Sequence, residues 1–277
     1  MSKAYAIRTQ NLSKNFGTVL AVDKLTLNIP YGKTYGLLGP NGAGKTTTVR
    51  MLNAIISKTS GNASVGGYDI VSESKKVKMI CGFLPESPGL YSKLTAKEFL
   101  EFIGELYFLQ KDVISVRINE LIELFNLVGR ENDLLESYSR GMKQKVCLCA
   151  ALIQDPEILF LDEPTSNLDP AAARMVKDLI SQLAKKADKT IFICTHLLDT
   201  AEELCDVIGL IIDGQLKIEG SPKEIIDSVG AEILEEAYLK ITGASHIDDL
   251  LGWREENSIN HESNNSKKKK KKSKKSR

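Results

Sequence analysis

The feature that most restricts what this chain can become is the segment GPNGAGKTT at residues 39–47. It sets Gly39, Gly44, Lys45 and Thr46 in the pattern G-x-x-x-x-G-K-[ST]. Glycines at those points let the backbone fold around a polyphosphate with its N–H groups pointing inward. Lys45 then reaches the β/γ-phosphates and the Thr46 hydroxyl ligates Mg²⁺. Such a loop needs a strand to deliver it and a helix whose positive dipole end faces the anion. Both are predicted here: KTYGLL at 33–38 reads as a strand and residues 44–56, roughly, as a helix. Gly39, Pro40, Asn41, Gly42, Ala43, Gly44, Lys45, Thr46 and Thr47 are therefore the candidate phosphate-binding set, carried by an α/β fold.

The segment ILFLDE at 158–163 supplies a partner for that loop. Four apolar residues make a buried strand, and Asp162 emerges at its carboxyl end, where ligands bind in open α/β sheets. A carboxylate there can hold Mg²⁺ through water. Glu163 follows directly and is placed to orient and deprotonate an attacking water.

Around these motifs the pattern alternates. Strands are predicted at 4–9, 24–30, 79–84, 157–162 and 190–195, with a tight turn between short strands at 65–70. VIGLIID and QLKIEG read as a hairpin about Asp213-Gly214. Helices are expected near 170–185, 199–204, 222–228 and 231–242. Apolar, non-alternating strands separated by helices argue for a mostly parallel sheet covered on both faces. From Thr95 the period turns helical, through Phe99, Leu100, Phe102, Ile103, Leu106 and Tyr107, with Thr95 and Glu98 forming a capping box. Further helical stretches at 112–127 and 141–153 make residues 95–153 an insertion into the α/β pattern.

Charge divides the chain. It has 37 Lys+Arg and 36 Asp+Glu, but residues 266–277 (SKKKKKKSKKSR) hold nine of the basic residues and no acid, so the remainder is net −8. The 42% hydrophobic content is that of a globular protein with a full core, which excludes a chain disordered throughout and a disulfide-rich mini-protein. The cysteines, Cys81, Cys147, Cys149, Cys194 and Cys205, sit in apolar runs without zinc spacing and read as buried, reduced side chains. The first residues, MSKAYAIRTQ, have no apolar signal core, and no run of about 18 apolar residues occurs. Membrane spans, where needed, would come from another chain.

Five further segments sharpen the reading. YSRGMKQ at 138–144 is similar to the signature usually written LSGGQ, and DEPTSNLDP at 162–170 joins the carboxylate pair to a D-loop ending at Asp169. CTHLLDTAEELCD at 194–206 resembles a switch-histidine region, and GFLPESPGLYSKLT at 82–95 a Q-loop. NFGTVLAVDKL at 15–25 resembles an adenine-stacking segment. Together, in this order over residues 4–242, they resemble the nucleotide-binding subunits of ABC transporters, in the form YS-x-GMKQ of an export-related branch.

The resemblance implies a P-loop NTPase (ABC ATPase) with a mostly parallel core sheet, an antiparallel β subdomain and an inserted α-helical subdomain. Residues 1–94 and 154–228 would form the ATPase core, 95–153 the helical insertion, 229–245 a C-terminal helix and 246–277 a disordered basic tail. It implies ATP and Mg²⁺ as cofactors, with Glu163 and His196 catalytic and Thr46, Glu86 and Asp162 on the metal. Phe16, as base platform, Val22, Ser139, Gly141 and Asp169 would complete the nucleotide contacts. Ser139 and Gly141 would serve the ATP of a second copy in a head-to-tail dimer. The chain departs from the family at Glu86, usually Gln, and at Arg140 and Met142 in the signature; Ser139 and Gly141 remain. The implied activity is ATP hydrolysis driving export through a membrane permease, at the cytoplasmic face of the cell membrane. The Lys-rich tail adds anionic lipid as a partner. The rival is a nucleic-acid- or ribosome-linked ABC ATPase. Nucleic acid is the disfavoured partner, because such relatives carry two ATPase domains or a long coiled-coil insert, whereas only 116 residues separate Lys45 from Asp162.

Overall fold

The computed structural model describes residues 4–87, 89–166, 168–186 and 189–243. The first half contains β1 (Ile7–Phe16), β2 (Val19–Leu25), β3 (Asn28–Ile29), β4 (Thr34–Leu38), α1 (Lys45–Leu52), β5 (Ser60–Val65), β6 (Tyr68–Asp69), α2 (Ser74–Ile80) and β7 (Cys81–Leu84). Three helices follow, α3 (Ala96–Leu106), α4 (Lys111–Leu124) and α5 (Arg140–Leu152). The chain then alternates through β8 (Ile158–Asp162), α6 (Pro170–Lys186), β9 (Thr190–Thr195), α7 (Leu198–Leu204), β10 (Val207–Ile212) and β11 (Gln215–Gly220), before α8 (Pro222–Ser228) and α9 (Leu234–Thr242).

Six strands form one sheet in the order β11-β10-β4-β9-β8-β7, parallel throughout except for β11, which returns from β10 as a hairpin. The other sheet is antiparallel, β2-β1-β5-β6 with β3 also on β1. The central strands β4, β8 and β9 are buried at every residue, which is why their sequences show no polar alternation. Successive side chains of a strand nonetheless point to opposite faces. Tyr35, Leu37, Phe160, Phe192 and Cys194 enter a core shared with the antiparallel sheet and α1. Their alternates Leu38, Leu159, Leu161, Ile191 and Ile193 enter a second core with α3 to α7. Tyr35 and Phe160 flank Phe192 with ring centroids 5.3 and 5.6 Å away. The five cysteines are free and buried, as their apolar settings predicted.

Several elements differ from the sequence reading. The first strand runs to Phe16 instead of ending near residue 9, because it pairs with β5 and then with β2 across bulges. The single strand expected at 24–30 is two: β2 bends at Lys24, φ 50°, and ends at Leu25, and only Asn28–Ile29 continues as β3. Met79 and Ile80, read as strand, belong to α2, a short helix missed because Val77 is its one buried residue. The capping box at Thr95 is present, with Glu98 N–H donating to Thr95 Oγ1 and Thr95 N–H to Glu98 Oε2. The tail, 246–277, lies outside the described residues.

Candidate functional site

Four parallel strands, β4, β9, β8 and β7, end side by side, and each delivers a functional segment at its carboxyl end. From β4 comes the phosphate loop, from β8 the Asp162-Glu163 pair, from β9 the Thr195-His196 step and from β7 the segment holding Glu86. This is the edge at which open α/β sheets bind ligands.

A cleft of about 280 Å³ lies there, lined by Ala21, Asn41–Thr47, Glu86, Asp162 and Glu163. Gly44 caps α1 at φ 105°, and a Cβ on it would come within 2.4 Å of Ala21 O, so the loop tolerates no side chain there. Lys45 is buried, and its Nζ donates to Gly39 O at 2.7 Å and Pro40 O at 3.1 Å. Gly39 and Pro40 thus enter the site through their carbonyls, outside the cleft wall.

Asp162 is buried, and its Oδ2 has no hydrogen-bond partner among the described residues. Burial raises its carboxyl to about 6, helped by the charges of Glu86 and Glu163 and opposed by the Thr46 hydroxyl and Lys45. Glu163 is buried too, with left-handed backbone at φ 53° and its N–H tied to Cys194 O at 2.9 Å. Its carboxylate is fixed by three contacts. Thr195 Oγ1 donates to Oε2 at 3.1 Å, His196 N–H donates to Oε1 at 3.1 Å, and His196 Nδ1 lies 2.7 Å from Oε1. Thr195 in turn accepts from Leu197 N–H at 3.0 Å. The sequence reading named Glu163 and His196 separately and missed both their contact and Thr195. The available signal was a hydroxyl residue closing an apolar strand one step before His196. A non-glycine residue held in the left-handed region costs about 1–3 kcal/mol, and such strain concentrates at functional sites.

The remaining candidates lie elsewhere. Ser139 is the exposed N-cap of α5, accepting from Met142 N–H at 3.3 Å. Gly141 lies beside Leu168, so the signature adjoins the D-loop. Asp169 caps α6, with Ala171 and Ala172 N–H donating to Oδ1; these bonds, Ala172 first, hold its carboxyl below the usual range. None of the three lines the cleft. Phe16 is half-exposed outside the cleft wall, with Lys14 Nζ 4.7 Å from its ring centroid. Val22 is fully buried beneath Gly44, behind the cleft wall.

The protein-family model described as "ABC transporter" matches residues 22–166. The linearmycin resistance ATP-binding protein LnrL of Bacillus subtilis is 34% identical over 253 residues, covering 88% of this chain and 81% of that protein. The bacitracin transport ATP-binding protein BcrA of Bacillus licheniformis is 40% identical over 210 residues, covering 76% and 68%. A solved structure described as the ATP-binding subunit of an ABC transporter superposes with a TM-score of 0.80 at 28% identity, covering 86% of this chain and 99% of that one.

Proposed function

The chain belongs to the ABC transporter family as an ATP-binding, ATP-hydrolysing subunit that drives transport, and we propose that the transport is export, powered by two copies closing head to tail on two ATP molecules. The relatives' names, resistance to linearmycin and transport of bacitracin, support the direction. The separation of Ser139 and Gly141 from the cleft supports the dimer, since each copy then offers one half of a site on the cleft and the other on the start of α5.

The observation that carries the hydrolytic reading is the fixed Glu163 carboxylate at the wall of the phosphate-loop cleft. Backbone N–H groups of the loop and Lys45 hold the phosphates. Glu163 accepts a proton from the attacking water, while Thr195 and His196 fix its orientation. Thr46, Asp162 and Glu86 are proposed to hold Mg²⁺. Among the described residues no three acidic, His or Cys side chains converge as a metal cage. Mg²⁺ does not need one, because it binds through one or two protein oxygens together with phosphate oxygens and water. The unpartnered Asp162 Oδ2 beside the Thr46 hydroxyl fits that role. When bound, the ion would neutralise phosphate charge.

A groove of about 370 Å³ between β7 and the helices α3 and α5 is lined by Ile55, Phe83, Leu90, Phe99, Ile103 and Tyr107. We assign it to an apolar segment of the permease, with the subunit proposed to sit at the cytoplasmic face of the membrane. Among the described residues no helix is long and apolar enough to cross a bilayer. Replacing Glu163 by Gln keeps its size and removes the base, so ATP should still bind while turnover falls about 10²-fold or more. Near-normal hydrolysis by the purified variant would overturn the assignment.

A further inference from the structure

Outside the cleft, a charge cluster joins α6 to α7. Lys177 Nζ lies 3.0 Å from both Asp199 Oδ2 and Glu203 Oε2, and Arg174 lies 3.0 Å from Glu203 Oε1 and from Asp178 Oδ1. Exposed ion pairs of this kind usually contribute little. Lys177 differs, because its side chain is only 13% exposed while it grips two carboxylates one turn apart on α7. Burial alone would depress its pKa, yet Asp199 and Glu203 hold it above the ordinary value. A partly buried cation held against two exposed carboxylates at i and i+4 restrains both the rotation and the axial position of the helix that carries them.

The placement of the two helices makes this consequential. Helix α6 starts at Pro170, directly after the Asp169 cap and seven residues from Glu163 along the chain. Helix α7 starts at Leu198, two residues after His196. The chain therefore runs from Glu163 through Asp169 into α6, across the Lys177 bridge into α7, and back through His196 to Glu163 Oε1. This is a closed frame with two noncovalent joints, the Lys177 bridge and the Glu163–His196 contact.

We propose that Lys177 is a positioning residue for hydrolysis: by locking α7 to α6 it sets His196 against Glu163 and couples that pair to the Asp169 segment. The proposal rests on Glu163 and His196 being the hydrolytic pair. Nucleotide binding, which the phosphate loop performs together with α1 in the other core from α6 and α7, should not depend on Lys177.

The test is steady-state ATP hydrolysis by the full chain. Lys177→Met should lower kcat about five- to tenfold while KM for ATP stays within about twofold, the pattern of an interaction used only in the transition state. Lys177→Arg, which restores the charge, should recover most of kcat. The chain has three histidines, so ¹⁵N-histidine NMR can follow the His196 ring directly, and its ring nitrogens should shift in Lys177→Met and return in Lys177→Arg. Should Lys177→Met fold poorly, the double change Asp199→Asn/Glu203→Gln removes the same bridges from the other helix and should give the same kinetics. An unchanged kcat, a rise in KM that accounts for the loss, or an unmoved His196 ring would each overturn the proposal. If those variants are neutral while Glu163→Gln stops hydrolysis, the positioning role alone falls. If Glu163→Gln hydrolyses normally, the hydrolytic reading falls with it.

Discussion

At the scale of single residues, the site is built on carboxylates whose surroundings differ sharply. Asp162 keeps an oxygen unpartnered among the described residues, whereas Glu163 is held by three contacts within one cluster. Both were legible in the sequence because they end an apolar run, where a buried strand must emerge. Thr195 was not, since a threonine in a strand is ordinary and only its bond to Glu163 gives it a role. The burial of Val22 was not legible either, since an apolar residue in a strand carries no sign of which face it takes. Glu86 lines the cleft where the family usually has Gln. If it supports Mg²⁺, Glu86→Gln should keep much of the hydrolysis, because an amide oxygen remains a ligand, while Glu86→Ala should lose more and need more Mg²⁺. Equal rates for all three proteins across a Mg²⁺ titration would make the side chain a bystander.

At the scale of elements, long periodic segments such as α3 to α6 were readable, and so was the β10–β11 hairpin from its Asp-Gly turn. The β1–β2 edge was not, because left-handed residues at Asn11 and Lys24 bend the strands without any glycine to announce it. The hairpin does more than close the sheet. Gly214 N–H donates to Ala43 O at 3.1 Å, inside the phosphate loop, and Gly214 O accepts from Asp23 N–H at 2.9 Å. Gln215 Nε2 donates to Asp23 Oδ2 at 2.8 Å. The turn thus pins the loop against β2. Gly214 has φ 77°, and a Cβ would lie 3.0 Å from Ala21 O and 3.1 Å from Val22 Cα. Gly214→Val should therefore cost about 1–2 kcal/mol from backbone conformation alone, displace the loop and raise KM for ATP more than it lowers kcat. Titration of nucleotide binding alongside a melting curve would check this; weakened stability with unchanged KM would show that the turn does not set the loop.

At the scale of the molecule, the net charge of +1 hides a body at −8 and a tail carrying nine basic residues. We expect removal of residues 266–277 to leave ATP hydrolysis unchanged and to weaken sedimentation with anionic liposomes. Each basic residue near such a surface contributes about 1 kcal/mol, and the difference should vanish near about 0.5 M salt as screening shortens to a few Å. Equal sedimentation at low salt would count against lipid attachment. The class of fold was legible from alternating apolar strands and helices, but the order in which strands pair was not: β4 lies between β9 and β10, partners more than 150 residues away, and no local pattern encodes that. The same pairing carries a consequence for dynamics. Because β4, β8 and β9 feed alternate side chains to both cores, neither core can open without breaking these strands. Amide hydrogen exchange should then find one slowest class, at residues such as Leu37, Phe160 and Ile193, requiring global unfolding, while α2 exchanges by local opening. Two slow classes with separate free energies, one for each core, would mean that the shared strands do not bind the layers into one cooperative unit.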